Sequence, residues 1–321
     1  MDERIEVSSG TYSGGEMIEY VEMHTCPLCG SEAYEVLYNL DVPVVRCKKC
    51  TLVYLNPQPR VDHQGFYDES YYRGSSTKKA DQDNEDVLEA HKVDIRLESC
   101  QAVVDRVTKV VPEPGSWLDI GCGPGFLLYQ AKARGWQCTG LDSSPFAPKI
   151  AHERFGLEDV HTGLIEDVDF GGRLFDVISM QHVIEHIYEP VETMRKILSL
   201  LKPGGVLYIE TPDICSGSAL RDGADWLHIK IPEHVLYFSQ QTLERLMRQL
   251  HCEVLQAWKP VPGTGVMNRV CGGKERAKKF YAVAKHFPFF ESLVDVVRRW
   301  RQKKMPDQAE HIHMLARKHA D

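Results

Sequence analysis

The sequence predicts an α/β fold built on a doubly wound, largely parallel sheet. Three observations carry that expectation. Between residues 116 and 210, short β-prone runs alternate with segments of helical periodicity, the order that parallel strands joined by crossover helices require. A glycine-rich turn, Gly121-Cys122-Gly123-Pro124-Gly125, separates the first of those strands from the first helix. A second strand ends at Leu141-Asp142, about 17 residues further on, and brings a carboxylate to the level of that turn.

In chain order, residues 1–20 read as a flexible, polar leader. Residues 21–58 form a small module with two cysteine pairs and short β-prone runs at Tyr34–Tyr38 and Val44-Val45. Asn56-Pro57-Gln58-Pro59 should end it, because proline cannot continue a regular ladder. Residues 59–90 are aromatic, then acidic, and read as a linker or lid. Residues 91–321 form the main domain, with an insertion at about 260–308. Apolar residues at helical spacing run from about 87 to 110, and Pro112 and Pro114 stop that helix. Strands are expected at Ser116–Ile120, Gln137–Leu141, Asp159–His161, Phe175–Met180, Val206–Glu210 and Cys252–Trp258, with a seventh near His311–Ala316. Helices are expected at Phe126–Arg134, Pro145–Phe155, Pro190–Leu201 and Gln241–Leu250.

Composition removes several classes. No stretch approaches the roughly 18–20 apolar residues that span a bilayer. The acidic, polar start carries no signal-peptide pattern, so a cytoplasmic protein is expected. A formal net charge of −8 speaks against a dedicated nucleic-acid binder. In a reducing compartment the ten cysteines should be thiols or metal ligands. One basic segment stands apart: 274–304 holds ten Lys or Arg against Glu275, Glu291 and Asp295, and could contact a membrane surface or a phosphorylated substrate.

The glycine turn lets the backbone bend sharply and lets a ligand approach the main chain. A dinucleotide fingerprint needs glycine at the sixth position of G-x-G-x-x-G. Here that position is Phe126, so the pattern is G-x-G-x-G. An acidic side chain at the position of Asp142 can accept from both hydroxyls of a ribose. The paired cysteines are the second signal. Cys26-Pro27-Leu28-Cys29 and Cys47-Lys48-Lys49-Cys50 are 17 residues apart, a spacing typical of structural zinc. Four thiolates leave no open coordination position, so a structural Zn2+ is expected.

The segment Leu118–Gly125 resembles motif I of class I S-adenosylmethionine (SAM)-dependent methyltransferases. The resemblance continues through Thr162–Asp167, Phe175–Met180 and Leu201–Leu207. It implies a Rossmann-like sheet of seven strands. It places Asp119, Gly121, Cys122, Gly123, Gly125, Asp142, Ser143, Leu164, Ile165 and Gln181 around SAM, with Asp119 bracing the loop, Asp142 on the ribose, and Leu164 and Ile165 near adenine. The cysteine module, followed by Val53–Pro57 and Phe66–Tyr72, resembles bacterial methyltransferases of sugar and natural-product tailoring, whose sugar-specific members usually carry a longer C-terminal domain. His182-Val183-Ile184-Glu185-His186 resembles the ubiquinone-pathway O-methyltransferases.

Methyl transfer to a hydroxyl or an activated carbon needs alignment and removal of a proton. Two segments offer a base. Gln181-His182 follows the fourth strand, at the carboxyl edge of the sheet. Glu233-His234 follows the fifth strand, and the sugar-enzyme resemblance implies His234 as base, with Glu233 orienting it and His182 as second choice. His182-x-x-Glu185-His186 also has the H-x-x-E-H form of a zinc-peptidase motif, but it directly follows a strand and that reading is set aside. The expected acceptor is a sugar, nucleotide-sugar or natural-product small molecule, methylated on a hydroxyl or an activated carbon. Two alternatives stay open: an rRNA base methyltransferase with a zinc domain, and a non-catalytic SAM-binding protein. The sequence leaves the oligomeric state open.

Overall fold

The computed structural model describes residues 7–11, 17–61, 90–259 and 309–319. The linker at 62–89 and the insertion with its basic segment 274–304 lie outside the described residues.

The N-terminal part holds six short strands: β1 (Val7–Thr11), β2 (Met17–Val21), β3 (Tyr34–Tyr38), β4 (Val44–Cys47), β5 (Val53–Leu55) and β6 (Gln58–Arg60). Two departures from the sequence reading stand out. Part of the expected leader is a hairpin, in which β1 pairs antiparallel with β2. Asn56–Pro59 does not end the pairing either: Pro59 lies opposite Tyr20 in β6, at the edge of the sheet β1-β2-β6. An edge strand tolerates a residue without an N–H because only one side of it is paired.

The remainder follows the expected alternation. Helix α1 (Ala90–Val110) precedes β7 (Ser116–Ile120), α2 (Phe126–Lys132), β8 (Gln137–Asp142), α3 (Phe146–Phe155), β9 (Val160–Thr162) and β10 (Phe175–Gln181). Next come α4 (Pro190–Ser199), β11 (Leu201–Pro212), α5 (Gly217–Asp222), β12 (Leu236–Tyr237), α6 (Gln240–Gln249), β13 (Cys252–Trp258) and β14 (His311–Lys318). The main sheet has seven strands in the order β13-β14-β11-β10-β7-β8-β9. The pairs from β9 through β11 are parallel; β14 is antiparallel to both β11 and β13.

Alternation along the strands sorts side chains between two cores. Trp117, Val177, Val206 and Tyr208 pack with α1 and α2 on one face. Leu118, Ile120, Ile178, Leu207 and Ile209 face the other way, into a core shared with the cysteine module. Local chemistry sets the ends of the helices. Pro190 takes the first helical position of α4, Gly156 closes α3 in a left-handed conformation, and Ser239 with Thr242 forms a capping box on α6. The fifth strand, expected from Val206, begins earlier, and Lys202-Pro203-Gly204-Gly205 forms an irregularity within β11. Pairing with β10 jumps from Phe175↔Leu201 to Val177↔Val206, and Gly204 supplies a φ of 73°.

Candidate active site at the carboxyl edge of the sheet

The glycine loop follows β7, with Gly121, Gly123 and Gly125 at φ 68°, 49° and 87°. A Cβ at Gly121 would lie 2.4 Å from Val183 Cγ2, and one at Gly125 2.5 Å from Leu157 Cδ1. Positive φ and close neighbours both demand glycine at these two positions. The Gly121 and Cys122 amides donate to the Leu141 carbonyl at 2.7 and 3.1 Å. Cys122 points its side chain inward, so any part it plays in binding is through its main chain.

Asp142 joins the loop to the next strand end. Its Oδ2 accepts from the Gly123 amide at 2.7 Å and its Oδ1 from the Ser144 amide at 2.9 Å. The half-buried Ser143 lies between them in sequence. Gly163 N–H donates to the Asp142 carbonyl at 2.8 Å, which ties the turn with Leu164 and buried Ile165 to the same strand end. Asp119 is buried one layer below. It accepts from Ser179 Oγ at 2.6 Å, and Ser179 in turn accepts from Trp117 Nε1 at 2.7 Å. Burial, partly offset by the Ser179 bond, pushes the Asp119 carboxyl up to about 7. The fold thus gathers the residues expected around the ribose and adenine.

The acid–base candidates form a second group beside it. Val183, the residue against Gly121, lies in the turn that carries His182, Glu185 and His186. His182 directly follows β10, with φ 54°. Its Nδ1 faces Glu185 Oε1 at 3.2 Å and its Nε2 faces Glu210 Oε1 at 3.6 Å. Desolvation opposes its charge, but the two carboxylates outweigh it and push the imidazole up to about 10. With 43% of the side chain exposed, solvent weakens both effects, and the flanking carboxylates favour the imidazolium form at neutral pH. Gln181 donates to Glu210 Oε2 at 2.6 Å, so its amide braces this carboxylate.

His234 has the opposite character. Burial and the neighbouring His186 hold it well below the usual histidine range. Its Nδ1 lies 2.9 Å from the His228 carbonyl. A carbonyl can only accept, so Nδ1 carries the proton and Nε2 keeps its lone pair. His186 Nδ1 bonds the Glu233 carbonyl at 2.8 Å by the same logic. Sequence reasoning expected the Glu233 side chain to orient His234; the group that holds the ring is the His228 carbonyl, and Glu233 supplies its main chain to His186. Ligand-type atoms of Glu185, His186 and His234 lie within 4.8 Å of one another.

The structure adds groups that no linear motif marked. Glu185 Oε2 accepts from Thr211 Oγ1 at 2.9 Å. His228 stacks on His234 with centroids 6.3 Å apart, and His311 meets His228 at 5.2 Å and His182 at 4.8 Å. Burial, reinforced by the charge on His182, pulls His228 down to about 4 and His311 to about 3. The unusual density of histidine at 228, 234 and 311–313 was the available signal.

The four cysteines converge. Cys26 and Cys50 sulfurs are 3.5 Å apart, Cys29 and Cys47 sulfurs 3.6 Å, and all four lie within 4.8 Å. A disulfide needs about 2.05 Å. Four sulfurs about 2.3 Å from a tetrahedral zinc would stand about 3.8 Å apart, so the set fits that ion. The two knuckles match locally: Gly30 and Thr51, each just after its Cys-x-x-Cys, take φ 66° and 68°. Their amides donate to the Cys26 and Cys47 carbonyls.

A seven-stranded sheet with one antiparallel hairpin at its edge, a glycine loop after the first parallel strand and a carboxylate after the second define the class I methyltransferase fold. The chain belongs to the methyltransferase domain family, whose family model matches residues 90–257, just over half of its length. Among its relatives is the mitochondrial ubiquinone biosynthesis O-methyltransferase of Schizosaccharomyces pombe. It is 32% identical over 140 residues, which cover 41% of this chain and 49% of the relative. The ubiquinone biosynthesis O-methyltransferase of Xanthomonas campestris pv. campestris is 37% identical over 116 residues, covering 34% and 48%. The chain spans about half the length of the curated relatives it matches. Among solved structures, the plantazolicin methyltransferase BpumL, in complex with a pentazolic desmethylPZN analog and SAH, aligns at 17% identity and a TM-score of 0.51. The alignment covers 78% of this chain and 94% of that one, and shows the shared fold.

Among the described residues, no helix is long and apolar enough to cross a membrane.

Proposed function

We propose that this chain transfers the methyl group of SAM to an oxygen, or to an activated carbon, of a small polar acceptor, with His234 as the base. The observation that carries this reading is the state of His234: neutral, buried, its Nδ1–H spent on the His228 carbonyl and its Nε2 lone pair kept. A base must be unprotonated at the working pH and rigidly aimed. His182, paired with two carboxylates, fails the first condition and serves better as a fixed positive charge.

The glycine loop and Asp142 support SAM as the donor. On this reading Asp119 braces the loop, Gly121, Cys122, Gly123 and Gly125 present their main chain to the methionine portion, Asp142 and Ser143 face the ribose, and Leu164 and Ile165 border the adenine. Gln181 acts at one remove, through Glu210. Transfer itself is a displacement at the methyl carbon. The acceptor atom loses its proton to His234 Nε2, attacks the methyl, and S-adenosylhomocysteine (SAH) departs. The ubiquinone-pathway relatives favour oxygen as the accepting atom. The four cysteines would hold a structural zinc and take no part in this displacement.

The test is SAH release from SAM over a panel of nucleotide-linked sugars and hydroxylated phenols. We expect His234→Gln to lower turnover about 10²–10⁴-fold, the usual worth of a general base, while SAH affinity stays within threefold. A fully active His234→Gln enzyme would eliminate His234 as base. Because burial lowers the histidine, kcat/KM should stay flat from about pH 6.5 upward and decline only at lower pH, where Nε2 gains a proton.

A further inference from the structure

We propose that the four-cysteine site positions the Glu233-His234 turn, so that metal loading sets the geometry of the acid–base group while the SAM site stays formed without it. The proposal rests on the methyltransferase reading above, and it concerns Cys47 and Cys50 as positioning residues.

The connection can be followed bond by bond. Cys47 ends β4, and Cys50 lies three residues before β5. The Cys47 amide donates to the Leu52 carbonyl at 2.9 Å, closing the knuckle onto the start of β5. Strands β4 and β5 pair antiparallel. The far side of β5 pairs with β12, through Leu236↔Tyr54 and Tyr237↔Val53. Strand β12 begins two residues after His234. The Leu55 amide donates to the Val235 carbonyl at 3.0 Å, and the Val235 amide donates to the Glu185 carbonyl at 2.9 Å. Val235 is thus clamped between the cysteine module and the turn carrying His182, Glu185 and His186.

Strand β12 has two residues, and β5 is its sheet neighbour; the seven-stranded sheet does not include it. A two-residue strand cannot hold itself in place. Its sheet register comes from β5, and the knuckle that the metal closes fixes the start of β5 through the Cys47–Leu52 main-chain bond. Without the metal, four sulfurs packed within 4.8 Å lose the ion that holds them together, and small metal sites of this kind commonly unfold. The hydrogen bonds of the glycine loop take another route. They run between Gly121, Cys122, Gly123, Leu141 and Asp142, within β7, β8 and their loops. Loss of the module should therefore loosen His234 and spare the SAM site.

The experiment compares the metal-loaded protein, the same protein stripped by a chelator, and Leu55→Pro, which deletes the Leu55 donor and leaves all four cysteines. Three quantities are read: SAH affinity by calorimetry, amide exchange of the 232–239 peptide, and the titration of the His234 ring by NMR. In the stripped and Leu55→Pro proteins we expect SAH affinity within about threefold of the loaded protein. Exchange at 232–239 should rise at least tenfold, and the His234 titration should move up towards the ordinary histidine range. Metal-loaded Cys47→His, which keeps a zinc-binding side chain, should retain protection. Unchanged exchange in either the stripped or the Leu55→Pro protein overturns the proposal. So does loss of SAH binding together with the protection, because the module would then be supporting the whole chain. If the metal-loaded protein fails to bind SAH, the methyl-transfer reading falls, and the exchange and ring titrations still decide this one.

Discussion

Asp142 and Asp119 are both acidic, both buried and 23 positions apart, yet their environments give them opposite tasks. Asp142 accepts two main-chain amides at the mouth of the glycine loop, which fixes its carboxylate beside that loop, where the proposed function puts the ribose. Charge-assisted hydrogen bonds are worth about 1.5–3 kcal/mol each. Asp142→Ala should therefore weaken SAH binding about 10–100-fold or more, as measured by calorimetry; unchanged affinity would remove Asp142 from the ribose. Asp119 instead pays for burial. Its folded pKa, raised from 3.8 to about 7, means that the folded state holds a proton that the unfolded chain has released. Its contribution is most favourable below pH 3.8 and is lost as pH rises to about 7. The shift corresponds to about 4 kcal/mol. Asp119→Asn keeps an acceptor for Ser179 and removes the charge, so above pH 7 the unliganded variant should melt higher than wild type. Equal melting temperatures across that range would mean that the carboxylate is solvated after all.

At the scale of elements, legibility followed periodicity. The seven strands of the main sheet and five helices carry enough alternating or helical pattern to be placed within a few residues of where they lie. Strand β6 contains a proline and β12 only two residues, so neither carries a pattern of its own; both exist because a partner strand recruits them. The histidine cluster was hidden for a related reason. His182 comes from just after β10, His228 and His234 from the loop before β12, and His311 from the start of β14. No spacing rule links them. Their burial has a measurable consequence. With His228 held at about 4 and His311 at about 3, against an ordinary 6.5, the unfolded chain takes up protons first on acidification. This contribution is complete above pH 6.5 and is lost as pH falls through 4 to 3. The melting temperature should fall by several degrees between pH 6.5 and 4, and His228→Gln/His311→Gln should flatten that slope. An unflattened slope would assign the acid sensitivity elsewhere.

The whole molecule joins two parts that the sequence shows side by side. The cysteine module shares one apolar core with the main sheet: Leu28, Val44 and Tyr54 belong to the same cluster as Ile178, Leu207 and Phe238. It also takes its fourth strand, β12, from far along the chain. With four thiolates and no open position, the module should bind about one zinc per chain. Elemental analysis of purified protein, with Cys26→Ser/Cys29→Ser as control, checks this; a metal-free wild type that remains folded would refute it. The sequence by itself determined the sheet, the glycine loop, the carboxylate at the next strand end and the paired cysteines, because each is written in neighbouring residues whose spacing reflects local backbone geometry. Only the tertiary structure set the two candidate bases in opposite surroundings and linked the turn carrying one of them to the cysteine module through β5 and β12. Protonation depends on which charges surround a ring in space, and the carboxylates that charge His182, the carbonyl that holds His234 and the strand that anchors its turn all come from distant parts of the chain.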